Sequence, residues 1–194
     1  MNKIVFATNN QHKVDEIRSV IGDLFDVVSL KDADIDIDIP EPFDTLEENA
    51  SIKSQTIHKQ TLQNCFSEDT GLEVFALNGE PGVKSARYAG EGKDSTDNIE
   101  KLLENMVGIT DRKARFRTVI SLILDGREHQ FEGICEGVIT ENAVGEFGFG
   151  YDSVFIPNGA TNTFGEMSLT DKNVFSHRKK ATAQLLAFLS INGK

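Results

Sequence analysis

Apolar residues recur along this chain with two periods, and the switches between them predict its elements. Ile4, Val5, Phe6 and Ala7 form a short continuous apolar run, the mark of a buried strand. Val14, Ile17, Val20 and Ile21 then fall at helical spacing. A strand, a polar turn over Thr8, Asn9 and Asn10, and a helix are therefore expected in that order. Ile35, Ile37 and Ile39 alternate with Asp34, Asp36 and Asp38, which predicts a half-exposed strand ending at Pro40. Thr45 to about Gln63 reads as helix, and Phe66 to Leu77 as extended chain with a turn at Asp69-Thr70-Gly71. Ile99, Leu102, Leu103 and Met106 mark another helix. Two strands, Ala114 to Leu124 and Glu128 to Thr140, meet at the hairpin signal Asp125-Gly126. Ala181, Leu185, Phe188 and Leu189 close the chain as an amphipathic helix capped near Ser176. A hairpin set among strand–helix units predicts an α/β fold with a mixed sheet.

Composition narrows the class. At 194 residues, with 39% hydrophobic and 26% charged positions, the chain reads as one domain spanning residues 1–194 with a sizeable core. No apolar run is long enough to cross a membrane, and MNKIVFATNN does not read as a secretory signal. Cys65 and Cys135 stand apart with no CxxC spacing, so a reducing cytoplasm is expected. The net charge of −11 argues against a nucleic-acid polymer as partner. A small anionic ligand remains compatible, because a site is a local matter and Lys13, Lys53, Lys172 and Arg178 fall at informative places.

Several segments carry candidate chemistry. Thr8-Asn9-Asn10-Gln11-His12-Lys13 ends a strand and opens a helix with a lysine, which suits an anion, although it is not a P-loop. The plainer reading is a capped helix with a solvated lysine. Asn49 and Lys53 share a helix face four residues apart. Glu68 and Asp69 are adjacent carboxylates before Gly71; oxygen donors of this kind hold Mg²⁺ or activate water. The plainer reading there is an Asx turn. Asp34, Asp36 and Asp38 lack the Gly and distal Glu of a Ca²⁺ loop and read as the wet face of a strand. PGVKSARYAG fixes a turn with Arg87 after it, suited to phosphate or to an ion pair. Phe149-Gly150-Tyr151-Asp152, followed by Lys172 and Ser176-His177-Arg178, offers an aromatic face, close backbone approach and donors, the parts needed to grip a nucleobase.

Together and in this order, ATNNxxK, ENAxxK, EDTGLEV, PGVxSARYAG, FGYD and KNxxSHR resemble the non-canonical purine nucleoside triphosphate pyrophosphatases (inosine/xanthosine triphosphate pyrophosphatases). The likeness runs from Thr8 to Arg178. It implies an elongated mixed β-sheet flanked by helices, two lobes around a central cleft, and a homodimer. It implies Mg²⁺-dependent hydrolysis of ITP, dITP and XTP to the monophosphate and pyrophosphate, which cleanses the nucleotide pool. Carried over by position, Thr8, Asn9, Asn10, Gln11, His12 and Lys13 hold phosphate and Thr70 binds substrate. Lys53 and Asp69 are catalytic. Asp69, Glu41 and Glu68 are the candidate metal ligands. Phe149, Gly150, Tyr151, Asp152, Lys172, His177 and Arg178 form the base pocket. The chain departs from the family pattern with Glu68 for an aspartate, Thr70 for a serine, Ser153 for a proline and Gly165 for an alanine; the last two are expected to soften the loop around the base.

A physical account fits these residues. Lysines and helix-start amides balance a triphosphate, Phe149 stacks on the purine, and donors from His177 and Arg178 favour a 6-oxo group over a 6-amino group. A non-catalytic purine nucleotide sensor is the alternative from another class. It needs no paired carboxylates.

Overall fold

The computed structural model describes residues 2–192. Its elements follow in the order β1 (Asn2–Phe6), α1 (Gln11–Ile21), β2 (Phe25–Ser29), α2 (Leu46–Thr61), β3 (Cys65–Val74), β4 (Pro81–Gly82), α3 (Ser95–Asn105), β5 (Lys113–Leu124), β6 (Arg127–Ile139), β7 (Phe155–Pro157), α4 (Leu169–Phe175) and α5 (His177–Asn192). The strands form one seven-stranded sheet in the order β2-β1-β3-β5-β6-β7, with β4 on β3. β1 pairs parallel with β2 and β3, whereas β4 and β7 pair antiparallel with β3 and β6. The sheet is mixed, as the hairpin among strand–helix units predicts. Asp125 and Gly126 both take positive φ, 49° and 75°, as a tight turn between β5 and β6 requires.

The chain divides into two compact units. One comprises Met1–Asp69, Thr118–Gly133 and Arg178–Lys194; the other comprises Thr70–Arg117 and Ile134–His177. In the first, the continuous apolar run of β1 has a simple cause: both of its faces are covered. Ile4 and Phe6 pack with Val14, Ile17 and Ile21 of α1 and with Ala181, Leu185 and Leu189 of α5. Val5 and Ala7, on the opposite pleat, pack with Leu30, Cys65, Ile123 and Ile57 of α2. The Phe6 and Phe66 rings stack with centroids 4.5 Å apart. In the second unit, Leu72, Val74, Phe116, Cys135 and Ile139 of the strands pack with Leu102 and Met106 of α3 and with Tyr151, Phe155 and Phe164. Each fully buried side chain of this size contributes about 1.5–3 kcal/mol.

Two expectations change. Residues 35–39 form no strand among the described residues. Ile35, Ile37 and Ile39 do pack against the core beside α2, but as extended chain without a ladder. Alternation reports that one face is covered; it carries no information about a pairing partner. Asp69-Thr70-Gly71 is not a turn either, since all three lie inside the ten-residue β3. Leu72 and Glu73 pair with Gly82 and Pro81, which keeps this stretch extended.

Candidate active site

The first unit gathers an ionic cluster around the middle of β3. Glu68 and Asp69, consecutive on that strand, enter two different environments. Glu68 is 1% exposed. Its Oε2 accepts from Nε of Arg178 at 2.8 Å and its Oε1 from Nη2 at 2.9 Å, a two-pronged carboxylate–guanidinium pair. The third arm of Arg178, Nη1, donates to Glu16 of α1. Lys13 Nζ lies 3.1 Å from Glu68 Oε1. Burial opposes ionisation of Glu68, yet Arg178 and Lys13 outweigh it and hold its carboxyl well below the usual range.

Asp69 faces Lys53 instead. The Lys53 ammonium donates to Asp69 Oδ1 at 3.2 Å and to Glu41. Burial works against the Lys53 charge, but the two carboxylates outweigh it and raise its pKa. Burial also lifts Asp69 above the ordinary 3.8, helped by the Glu41 charge and opposed by Lys53 and Lys13. Two carboxylates share one ammonium. The more buried of them is Asp69, with a side chain 10% exposed against 26% for Glu41.

Local sequence explains this convergence. Thr45 caps α2 by accepting the Glu48 N–H at 3.2 Å. One turn on, the fully buried Asn49 donates to Phe43 O at 3.0 Å and accepts from Phe43 N at 3.1 Å, pinning the segment that carries Glu41. Lys53 follows at the next turn of the same face. Ser67 donates its hydroxyl to Ala50 O, tying β3 to α2 two residues before Asp69.

The segment Thr8–Lys13 opens α1 as predicted, and most of its polar side chains are engaged with the protein. Thr8 Oγ1 accepts the Asn10 N–H, and Asn10 Oδ1 caps the helix by accepting the Lys13 N–H, each at 3.2 Å. Asn9 donates to Ile37 O at 3.0 Å and Gln11 to Asp15 at 2.7 Å, while His12 is exposed. Lys13 is the member of this segment that joins the cluster. Thr70 lies half-buried in β3.

The second unit holds the aromatic candidates. Asp152 is 3% exposed; its Oδ2 accepts from Lys172 Nζ at 2.6 Å and from the Phe149 N–H at 2.9 Å. The Lys172 ammonium lies 5.3 Å from the Phe149 ring centroid and 5.2 Å from that of Phe164, within cation–π range. Gly148 has φ +77°, and a Cβ there would sit 2.1 Å from Asp152 Oδ2, so the loop closes on its aspartate only with glycine. Gly150, also at positive φ, completes the bend. Tyr151 is 4% exposed, packs in the core and donates its hydroxyl to Ser85 O at 2.8 Å. His177 is 2% exposed and stacks on Phe116, 4.6 Å between centroids.

The contacts weigh against four expectations. Glu68 is a poor fit as a metal ligand, because both its oxygens are engaged by cations. Tyr151 packs in the core and anchors the loop through its hydroxyl bond to Ser85 O. As donors, His177 packs on Phe116, and a purine oxygen reaching Arg178 has to compete with Glu68 and Glu16. Gly165 is also no soft spot, since a Cβ there would meet Ser153 Cα at 2.8 Å. Glu16 was missed. It falls off the apolar period of α1, and nothing local marks it as a partner of a residue 162 positions away.

A divalent cation such as Mg²⁺ asks for hard oxygen donors. Among the described residues no group of three or more metal-capable side chains converges. Glu41 and Asp69 do converge, on Lys53, and offer hard carboxylate oxygens. That suits Mg²⁺, which keeps much of its shell as water and substrate phosphate. A surface hollow of ≈ 270 Å³ lined by Phe43, Glu47, Glu48, Ser51 and Glu128 holds none of the predicted site residues. Its Glu128 is already bonded to Ser51, Gln55, Ser121 and Gln130.

A family model described as the Ham1 family matches residues 4–188. The chain belongs to the Ham1 family. Among Ham1 relatives, a dITP/XTP pyrophosphatase of Christiangramia forsetii is 49% identical over 188 residues, 97% of this chain and 99% of that one. The dITP/XTP pyrophosphatase of Porphyromonas gingivalis is 50% identical over 190 residues, 97% of this chain and 98% of its own. The solved Ham1 protein of Staphylococcus aureus superposes with a TM-score of 0.88 at 41% identity, covering 98% of this chain and 100% of that one. The mixed, helix-flanked sheet is thus that of its Ham1 relatives.

Proposed function

We propose that this Ham1 protein hydrolyses non-canonical purine nucleoside triphosphates, ITP, dITP and XTP, to the monophosphate and pyrophosphate. The observation that carries the reading is the split between consecutive carboxylates. Glu68 is locked as an anion by Arg178 and Lys13, while burial lifts the pKa of Asp69 against the pull of Lys53. Two neighbouring acids pushed apart by their surroundings are an acid–base signature. A binding-only sensor needs no such pair, and the relatives' names are those of enzymes.

In the proposed reaction Asp69 takes the proton of the attacking water. A bond forms from that water oxygen to the α-phosphorus as the bond to the bridging oxygen breaks, and pyrophosphate leaves with the electron pair. Lys53 and Lys13 offset the phosphate charge, and Phe149 stacks on the purine. Glu41 and Asp69 are the residues that would hold Mg²⁺. When bound, Mg²⁺ supplies Lewis-acid charge to the phosphate oxygens. We place the enzyme in the cytoplasm as a homodimer on the family resemblance. No described helix is long and apolar enough to cross a membrane.

Pyrophosphate release from ITP, dITP and XTP, against ATP and GTP, with Mg²⁺ and with excess chelator, tests the reading. Release from the first three that chelator abolishes is expected. No release from any of the three, or full activity in chelator, overturns the activity or the metal assignment respectively. A sedimentation mass near one chain at micromolar concentration overturns the dimer.

A further inference from the structure

The PGVKSARYAG segment has no part in the chemistry above, yet it is among the most tightly bonded stretches of the second unit. Ser85, 9% exposed, opens a short 3-10 turn, Ser85–Arg87. Its hydroxyl accepts the Leu72 N–H at 2.9 Å and donates to Gly82 O at 2.6 Å. Its carbonyl accepts the Tyr151 hydroxyl at 2.8 Å. Leu72 stands three residues beyond Asp69 on β3. Beside it, Gly71 lies so close to β4 that a Cβ would meet Gly82 O at 2.6 Å. Tyr151 immediately precedes Asp152, whose carboxylate holds the Phe149 N–H and Lys172.

The turn itself is held firmly. Asn98 of α3 donates to Ala86 O at 3.1 Å and accepts from Ala89 N at 2.6 Å. Lys101 donates to Tyr88 O at 2.6 Å, and Asn105 donates to the Tyr88 hydroxyl at 2.7 Å. One residue on this fixed turn therefore grips two elements: with its side chain, the strand just past Asp69, and with its carbonyl, the loop bearing Phe149.

We propose that Ser85 is a positioning residue of the reaction, its hydroxyl setting the line of β3 and its carbonyl setting the height of the Phe149 loop through Tyr151. The proposal rests on the reading that Phe149 receives the purine. Buried hydrogen bonds left half-made carry the full desolvation cost of the orphaned group, and misplacement of reacting groups by about 1 Å can lower rates by ~10²-fold.

The test compares Ser85→Ala, Tyr151→Phe and the double variant with the parent. The first readout is amide hydrogen exchange at Leu72 and Phe149, which needs no nucleotide. The second is the ratio of kcat/KM for ITP over ATP, which does not change when part of the enzyme is merely unfolded. Faster exchange at Leu72 is expected in Ser85→Ala, which keeps the carbonyl that holds Tyr151, and at Phe149 in Tyr151→Phe. Each single variant should lower the ITP preference by roughly three- to tenfold, the scale of one lost hydrogen bond. The double variant should reach about the product of the singles, because the hydroxyl and the carbonyl brace separate elements. Parental exchange at Leu72 in Ser85→Ala or at Phe149 in Tyr151→Phe, or an unchanged preference in both folded singles, overturns the proposal. Tyr151→Phe, which removes one oxygen, keeps the test open if Ser85→Ala does not fold. If the parent fails to hydrolyse ITP, the proposed function falls while the exchange readout still decides whether Ser85 braces the loop.

Discussion

Two buried lysine–aspartate pairs invite comparison, Lys53 with Asp69 in the first unit and Lys172 with Asp152 in the second. Lys172 has its aspartate at 2.6 Å, a second donor to the same carboxylate from the Phe149 backbone, and two aromatic rings within cation–π range. Lys53 divides itself between two carboxylates, Asp69 at 3.2 Å and Glu41. The same residue types thus serve opposite ends. A balanced, enclosed pair holds a loop in shape. An unbalanced pair stores basicity, because its buried carboxylate gains by taking a proton.

The largest break in the comparison is Asp69→Asn. Turnover of ITP is expected to fall ~10²-fold or more, the scale of losing a general base. Folding should not suffer. The folded-state pKa of Asp69 is raised, so its contribution to stability is present below 3.8 and lost as pH rises through the folded value. At neutral pH the amide therefore removes a disfavoured charge. Near-parental turnover in a well-folded Asp69→Asn variant would move the base to another carboxylate.

Lys172→Ala breaks the balanced pair and takes this ammonium from the buried Asp152 carboxylate, while the Phe149 N–H bond remains. A loss of roughly 3–5 kcal/mol is expected, visible as a melting-temperature drop of about 10 °C for a chain of this length. A change of only a degree or two would show that Lys172 is a ligand group rather than the lock of its loop.

Glu68→Gln sharpens the contrast along the strand. Glu68 has a depressed folded-state pKa, so its stabilisation is present above the ordinary 4.5 and lost as pH falls through and below that value. The variant should melt lower than the parent at neutral pH, and the gap should close as the buffer is acidified. A gap that stays constant with pH would remove the ionic explanation.

The smallest effect expected is a displacement. Lys53 favours the ionised form of Asp69, so in Lys53→Ala the acid limb of the residual pH–rate profile should move to higher pH. Because Lys53 is 8% exposed and paired, this variant should also lose some stability, unlike a lysine on an open helix face. An unmoved acid limb would mean that the titrating base is not the neighbour of Lys53.

What the sequence made legible was local. The helical period of Val14, Ile17 and Ile21, the hairpin at Asp125-Gly126 and the Thr45 cap each depend on a few consecutive residues, and each stands in the fold. The strand expected at Ile35–Ile39 failed because pairing is a relation between distant segments. The candidate site divides the same way. Asn49 and Lys53 were readable as one helix face. That Glu68 is locked and Asp69 basic was not, since Glu68 is held by Arg178, 110 positions away, and Asp69 is raised first by burial, which the assembled fold creates, with the Glu41 charge adding to it.

One quiet feature of the core turns into an instrument. Cys65 is fully buried in the first unit and Cys135 2% exposed in the second, neither is in a disulfide, and burial pushes the Cys65 thiol up to about 12. A thiol so protonated and so covered is slow to alkylate while its surroundings stay shut. Each unit therefore carries its own internal clock for opening. The rate at which an alkylating reagent marks each cysteine, read by mass, would report how often that part of the chain breathes, without any label being engineered in.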